Sequence, residues 1–518
     1  MKKAHLILML AAGSFGLSAQ SIDHLSLFSG TDLHGTPRYV SMGGAFTALG
    51  NDMSALHINP ASGGVYRNDN FSFTLGFQNR GSETSFLGNN QEFNDFNFML
   101  ENIGLVKKFG SKGKYFFSLS YQKQADFSNF YSVSGVNRYN IDANGLETGV
   151  TLGEYWLDAA NPNYRFNTNS LGFTSNELAQ QGFLEEASSL GTVLLTDTNG
   201  YASIYDYWPD DATDINYRVE ETGGRNEFAL NLGGNFEDKF YYGIGIGFTS
   251  LNYRRIATLS ESGYADSSYV VESIVNYRNE VDASGINLKL GFIYRPVQAL
   301  RIGASLETPT WWYRVDEMQS VSVDAIAFDN TQFIGTEYLI DDIRYSIKSP
   351  MIARAGAAVV LGKHVIVSAD YEYTNSQNLT LSERDGYDYS GFQADWETAS
   401  QSTHGLKGGV ELRFSSLYLR GGYQYRTSFF KEQFEYESDR SVYAFGIGYK
   451  SGSMGIDLGY SLAKYTTRPI VHNALAYGFD TTAQTPEDGA LEGYDNDRAT
   501  LTNTTQKGNF LIGLNFSF

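Results

Sequence analysis

From Phe71 to the C-terminus, apolar residues recur at every second position in one short segment after another. In the last segment Phe510, Ile512, Leu514, Phe516 and Phe518 fall on one face. Asn509, Gly513, Asn515 and Ser517 fall on the other, with Leu511 the exception. Alternation of period two sends successive side chains to opposite faces of a strand. Phe71, Phe73, Leu75 and Phe77 oppose Ser72, Thr74, Gly76 and Gln78 in the same way, and Tyr242, Ile244, Ile246 and Phe248 oppose Gly243, Gly245, Gly247 and Thr249. About fourteen such segments are expected, centred near Leu75, Ile103, Leu119, Leu230, Ile246, Leu290, Ala304, Ala355, Ala369, Val410, Leu419, Ile447, Leu458 and Leu514.

The connections sort by length. Tight turns are expected at 110–113, 237–239, 296–298, 362–363, 415–416 and 451–453, and they alternate with long loops. The longest loop runs over about 125–225, and others cover about 255–281, 311–341 and 466–507. Short turns on one side and long loops on the other are the mark of an outer-membrane β-barrel, whereas a soluble sandwich has no reason to alternate them. The expected fold class is therefore all-β, a transmembrane antiparallel β-barrel.

Composition agrees. The 36 Tyr and 35 Phe give an aromatic fraction of 15%, beside 54 Gly and only 9 Pro. Aromatic girdles at two interfaces and many short strands fit that balance. No stretch after the N-terminus approaches the roughly 18 consecutive apolar residues of a spanning helix. A formal charge of −20 argues against a nucleic-acid partner, which would need a basic face. With no Cys there are no disulfides, thiolate nucleophiles or Cys-based metal sites. No cofactor or metal is expected.

Residues 1–20 read as a secretory signal peptide. Lys2 and Lys3 precede a short apolar core, and a small-residue tail follows, with cleavage expected between Ser18 and Ser21. Residues 21–70 have no strand pattern, and residues 71–518 carry the barrel.

Inward positions of the strands hold Lys289, Arg301, Glu307, Arg354, Asp370, Glu372, Lys407, Glu411, Arg413 and Arg420. Such charges are costly against lipid but tolerable in a hydrated lumen. They are expected to fill the barrel and brace whatever lies within it.

The segment 21–70 contains Ser29-Gly30-Thr31, then Gly35-Thr36-Pro37-Arg38-Tyr39, then Met42-Gly43-Gly44-Ala45-Phe46, and closes on His57-Ile58-Asn59-Pro60-Ala61. This run resembles the N-terminal plug of the FadL/TodX family, outer-membrane channels for long-chain fatty acids and aromatic hydrocarbons. Gly43, Gly44 and Ala45 followed by Asn59, Pro60 and Ala61 are its sharpest elements. Glu307-Thr308-Pro309-Thr310 and Tyr345-Ser346-Ile347-Lys348-Ser349-Pro350 look like the subfamily found in Bacteroidetes.

The resemblance implies a fourteen-stranded barrel in the bacterial outer membrane with the plug, or hatch, inside the lumen. It implies a hydrophobic small-molecule ligand, captured by loops, held in the lumen and released sideways beside a kinked third strand. Other implied partners are outer-membrane lipid and lipopolysaccharide, and, through the terminal Phe518, the barrel-insertion machinery. In this chain the third strand would have to bend through Gln122, Gln124 and Ala125. Pro350 is the other candidate, since proline lacks an N–H and interrupts a ladder.

In the longest loop, Thr174 with Glu177 reads as a capping box, and Ala179, Phe183, Ala187, Leu190 and Leu194 recur at helical spacing. Phe183, Leu190 and Leu194 are thus a candidate ligand-capture surface or a cover packed over the barrel mouth. Two alternatives belong to other classes: a component of type IX secretion binding protein cargo, and a haemin receptor ligating iron through His34 and His57. An enzyme is not expected, because the His residues are scattered and none is placed beside a nucleophile. The acidic run 206–214 offers oxygens for Ca²⁺ but lacks EF-hand spacing, so a solvated loop is expected there.

Overall fold

The computed structural model describes residues 25–138, 140–141, 146–148, 151–153, 155–156, 184–190, 192–196, 202–204, 209–265, 268–362, 364–383, 390–434, 436–472, 478–480 and 500–518. The expected signal peptide lies outside the described residues.

Fourteen strands close the wall: β1 Asn70–Phe86, β2 Asn89–Phe109, β3 Tyr115–Asp126, β4 Pro209–Phe236, β5 Phe240–Tyr264, β6 Val270–Val297 and β7 Leu300–Glu307. There follow β8 Ile352–Leu361, β9 Val365–Asn375, β10 Ser402–Phe414, β11 Leu417–Arg426, β12 Arg440–Ser451, β13 Met454–Thr467 and β14 Thr502–Ser517. Each pairs antiparallel with the next. The ring shuts where β1 meets β14, from Asn70↔Ser517 to Ser85↔Thr502. Every expected strand centre falls in one of these strands. No helix among the described residues is long and apolar enough to cross a membrane.

The two faces differ as the alternation requires. Leu232, Ile244, Phe292, Phe445 and Ile512 are exposed on the outside, while Asn231, Asn287, Lys289 and Ser461 are buried within.

The long loops at the end opposite the tight turns are corrected. Residues 255–281 are mostly hairpin: β5 and β6 stay paired from Arg255↔Asn279 to Ser262↔Glu272. β1 and β2 meet in a tight turn after Phe86↔Asn89. Residues 311–341 contain the strand Trp311–Ala327 and the start of Tyr338–Lys348, and 209–214 belong to β4 rather than to a solvated loop. The rest of the acidic run, 206–208, lies outside the described residues. These extensions continue the wall beyond the lipid. Their inward residues, among them Ile215, Tyr217, Val219, Ala257, Leu259, Val275, Val321 and Val323, form one buried cluster. Their outward residues meet water and can be polar, so the apolar outer face that marks a lipid-embedded strand is missing.

Candidate functional site

Residues 25–69 lie against the inner wall. Short helices cover Pro37–Ser41 and Ala55–Ile58, and a 3₁₀ turn covers Pro60–Val65. Thr36 caps the first helix by accepting from the Tyr39 N–H. Asn59 caps the 3₁₀ turn, its Oδ1 accepting from Ala61 N–H at 3.0 Å, and Pro60 takes the first position, where no N–H is needed. Gly43 and Gly44 both have positive φ, and a Cβ on Gly43 would meet the Tyr423 carbonyl at 2.7 Å. Ala45 and Ala61 are fully buried.

The wall holds this segment through its inward polar groups. Asn59 Nδ2 donates to the Thr47 carbonyl at 2.7 Å and to the Phe292 carbonyl of β6 at 3.2 Å. Asp370 accepts from Thr47 N–H at 2.7 Å, and Arg301 donates to the Leu49 carbonyl at 2.6 Å. The His57 ring is engaged at both nitrogens, with Nδ1 2.8 Å from Glu227 and Nε2 2.9 Å from Ser120 Oγ. Lys289 pairs with Glu227 and donates to the His57 carbonyl at 2.8 Å. Arg354 bridges Glu307 and Glu372 at 2.9 and 2.7 Å, and Lys407 joins Glu372 at 2.9 Å. Buried charges persist only when paired and hydrogen-bonded, and Glu227 with Lys289, and Arg354 and Lys407 with Glu307 and Glu372, satisfy one another. The expected bracing role for the inward charges matches this geometry.

One seam of the wall differs. The β2–β3 ladder runs from Phe109↔Tyr115 to Asn102↔Gln122 and stops. At that level both strands are irregular: β2 slips against β1 at Thr74/Leu75, and β3 slips against β4 between Lys123 and Ala125. Glu101 and Asn102 are consecutive yet both buried, as a bulge requires. The N-terminal segment is seated there. Asp32 N–H donates to the Gln124 carbonyl at 2.8 Å, Gln122 Nε2 donates to the His34 carbonyl at 3.2 Å, and Glu101 accepts from Gly35 N–H at 3.2 Å with His34 Nδ1 at 3.0 Å. Beyond the seam the strand Asn129–Arg138 pairs with β4. It reaches β1 and β2 through side chains, such as Asn89 Nδ2 to the Ser134 carbonyl at 3.0 Å and Gln91 Nε2 to Ser134 Oγ at 2.8 Å.

Gln122, Gln124 and Ala125 therefore stand at this seam and Pro350 does not. Pro350 lies between Tyr338–Lys348 and β8, beside the break Thr308–Pro309–Thr310. That level is bridged by Ser349 N–H to the Thr310 carbonyl and by Thr310 N–H to Ser349 Oγ, both at 3.0 Å. Asp32, His34 and Glu101 carry no motif. The one available signal is the lost alternation between Met99 and Asn102.

In the longest loop the described part of the expected helix ends earlier than expected, before Leu190, while Thr174, Glu177 and Ala179 lie outside the described residues. That part spans Leu184–Ser189, and Leu194 opens the strand Leu194–Thr196. Leu194 is buried in the outer cluster and Leu190 packs against it; Phe183 lies outside the described residues. Glu185 ties the assembly together, accepting from Trp156 Nε1 at 2.5 Å and from the Tyr277 hydroxyl, with His472 Nε2 at 2.8 Å.

A closed fourteen-stranded wall, apolar outside and polar inside, with tight turns at one end, defines an outer-membrane β-barrel. Among solved structures the chain is similar to a FadL homologue from Pseudomonas aeruginosa, at 13% identity over 95% of this chain and 100% of that one, with a TM-score of 0.52. It is also similar to the toluene transporter TodX from P. putida, at 12% identity over 94% and 99%, with a TM-score of 0.51. The chain has the FadL/TodX fold, the one that its N-terminal motif resembled. No family model matches the sequence, and no curated protein does.

Proposed function

We propose that this barrel carries a small hydrophobic molecule, of long-chain fatty acid or hydrocarbon type, across the outer membrane. Residues 21–70 act as the plug and residues 1–20 as a signal removed on export. The external assembly around Leu190 and Leu194 is the capture end, and Phe183 of the same loop contributes to capture. Exit is sideways between β2 and β3, at Gln122, Gln124 and Ala125, into outer-membrane lipid. The observation that carries this reading is the ladder that stops at Asn102↔Gln122 where Asp32–Gly35 is seated. A greasy molecule leaving there passes from one apolar environment to another without entering water.

The test uses whole cells producing the chain and uptake of labelled oleate and toluene. If the ladder continued, Leu100 would face Gln124. Cysteines at these positions, joined by a short reducible cross-linker, should reduce uptake at least about fivefold, with recovery on reduction. Uptake unchanged by the link would remove the lateral route. Uptake no greater than in cells lacking the chain would remove the transport reading itself.

A further inference from the structure

At the tight-turn end, between the N-terminal segment and the wall, lies a cavity of about 580 Å³. Arg38 and Arg67 line it from the segment, and Arg301, Arg413 and Lys450 line it from the wall; among the described residues no carboxylate does. In a chain of net charge −20, five cations around one space are not a sampling of the composition. A smaller adjoining cavity adds Arg420 and the first acids, Asp52, Glu411 and Asp457. Six cations thus face three carboxylates. Glu411 is itself shared by three guanidiniums, with Arg38, Arg413 and Arg420 each at 2.8 Å.

The donors are not spent. Among the described residues, the side chains of Arg67 and Lys450 make no hydrogen bond or ion pair. Arg301 uses Nη1 on Leu49, but its buried Nε has no partner. Tyr66 also borders the cavity; it is 5% exposed, and its hydroxyl is buried without a partner. Like charges converging from two elements repel unless an anion stands between them.

We propose that this cavity binds a small polyanion, phosphate- or carboxylate-bearing, that enters from the tight-turn side and bridges the N-terminal segment to the wall. The volume is that of a small-molecule site, roughly 300–1,000 Å³. Guanidinium forks from several directions match the oxygens of a phosphate or carboxylate. By periplasmic placement of tight turns, the ligand is either a free periplasmic anion or the head group of an anionic lipid of the inner leaflet.

The experiment uses the full chain in neutral detergent at low salt. Inorganic pyrophosphate should bind saturably by calorimetry and should protect residues 25–69 from protease. Arg67→Gln with Lys450→Gln, which breaks no bond in the fold, should weaken binding at least about tenfold. Arg278→Gln, on the outward extension of β6, should leave it unchanged. In parallel, native mass spectrometry should be run on protein exchanged into neutral detergent with added phosphatidylglycerol. Pyrophosphate binding lost in the double variant assigns a free anion. Phosphatidylglycerol retained by the wild type and lost in the double variant, without pyrophosphate binding, assigns a head group. Binding of neither, or binding equal in wild type and double variant, overturns the proposal.

Discussion

The Asn59 side chain occupies the space that a Cβ on Gly291 would need, and its amide donates to the neighbouring Phe292 carbonyl. The same relationship recurs around the wall. A Cβ on Gly303 would run into Thr47, one on Gly409 into Met42, and one on Gly422 into Gly43. The glycines that alternate with apolar residues along these strands are therefore the inner surface against which the N-terminal segment packs. Gly291→Val should be destabilising by about 1–3 kcal/mol through overpacking, with the loss concentrated in the segment. The expected outcome is faster proteolysis within residues 25–69 from a barrel that still runs heat-modifiable on a gel. Protection equal to wild type would contradict the packing.

Asn59→Ala removes the donors to Thr47 and Phe292 and the cap on Ala61. The Phe292 carbonyl keeps no replacement from the segment, so a cost of about 1–3 kcal/mol is expected. The barrel should fold, while uptake of a hydrophobic substrate should change. Uptake and proteolysis both unchanged would show that the motif does not hold the segment in a working position.

Deleting residues 516–518 removes the end of β14, where Phe516 pairs with Phe71 of β1 and with Met454 of β13. The Phe71 and Phe516 rings lie 6.4 Å apart. A barrel whose closing strand is shortened at its seam has an unpaired edge, which in lipid has no water to satisfy it. The truncated chain should accumulate unfolded in the periplasm. A normal heat-modifiable band would count against this.

Glu185 lies in the outer assembly, beyond the membrane. Burial pushes its carboxyl up, but the charge of His472 and hydrogen bonds from His472, Tyr277 and Trp156 outweigh it and hold the group below the usual 4.5. A depressed folded value means stability that is present above the ordinary glutamate value and lost as pH falls through the folded one. Protease resistance of the segment around Leu184–Ser189 should therefore be constant near neutrality and fall on acidification below about 4.5. Glu185→Gln should lower that resistance at pH 7 and remove the acid dependence. An acid profile identical in the variant would assign it to other groups.

Period-two alternation alone located all fourteen wall strands, because lipid on one side and lumen on the other impose opposite demands on successive residues. The same rule failed where the wall leaves the membrane: Glu272, Arg278 and Glu280 on outward faces look like loop residues, yet β5 and β6 remain paired through them. The pattern loses its apolar half when water replaces lipid.

Asn59-Pro60-Ala61 and Gly43-Gly44 were legible as a compact turn-rich segment, since caps and positive φ are local properties of those residue types. What those residues touch was not legible. That His57 meets Glu227 and Ser120, or Arg38 meets Glu411, depends on which strands close around the segment. The seam at Asn102 and Gln122 is likewise a product of two bulges on neighbouring strands; the one on β2 shows in sequence only as lost alternation between Met99 and Asn102, and the one on β3 has no mark. The basic cavity is the extreme case, for Arg67 and Lys450 are unremarkable in sequence, Arg301 reads only as one inward charge among several, and they become a site only when the ring closes. Alternation is a property of one strand and can be read along the chain; a seam, a brace and a cavity are properties of several strands at once, and only closure of the barrel brings them together.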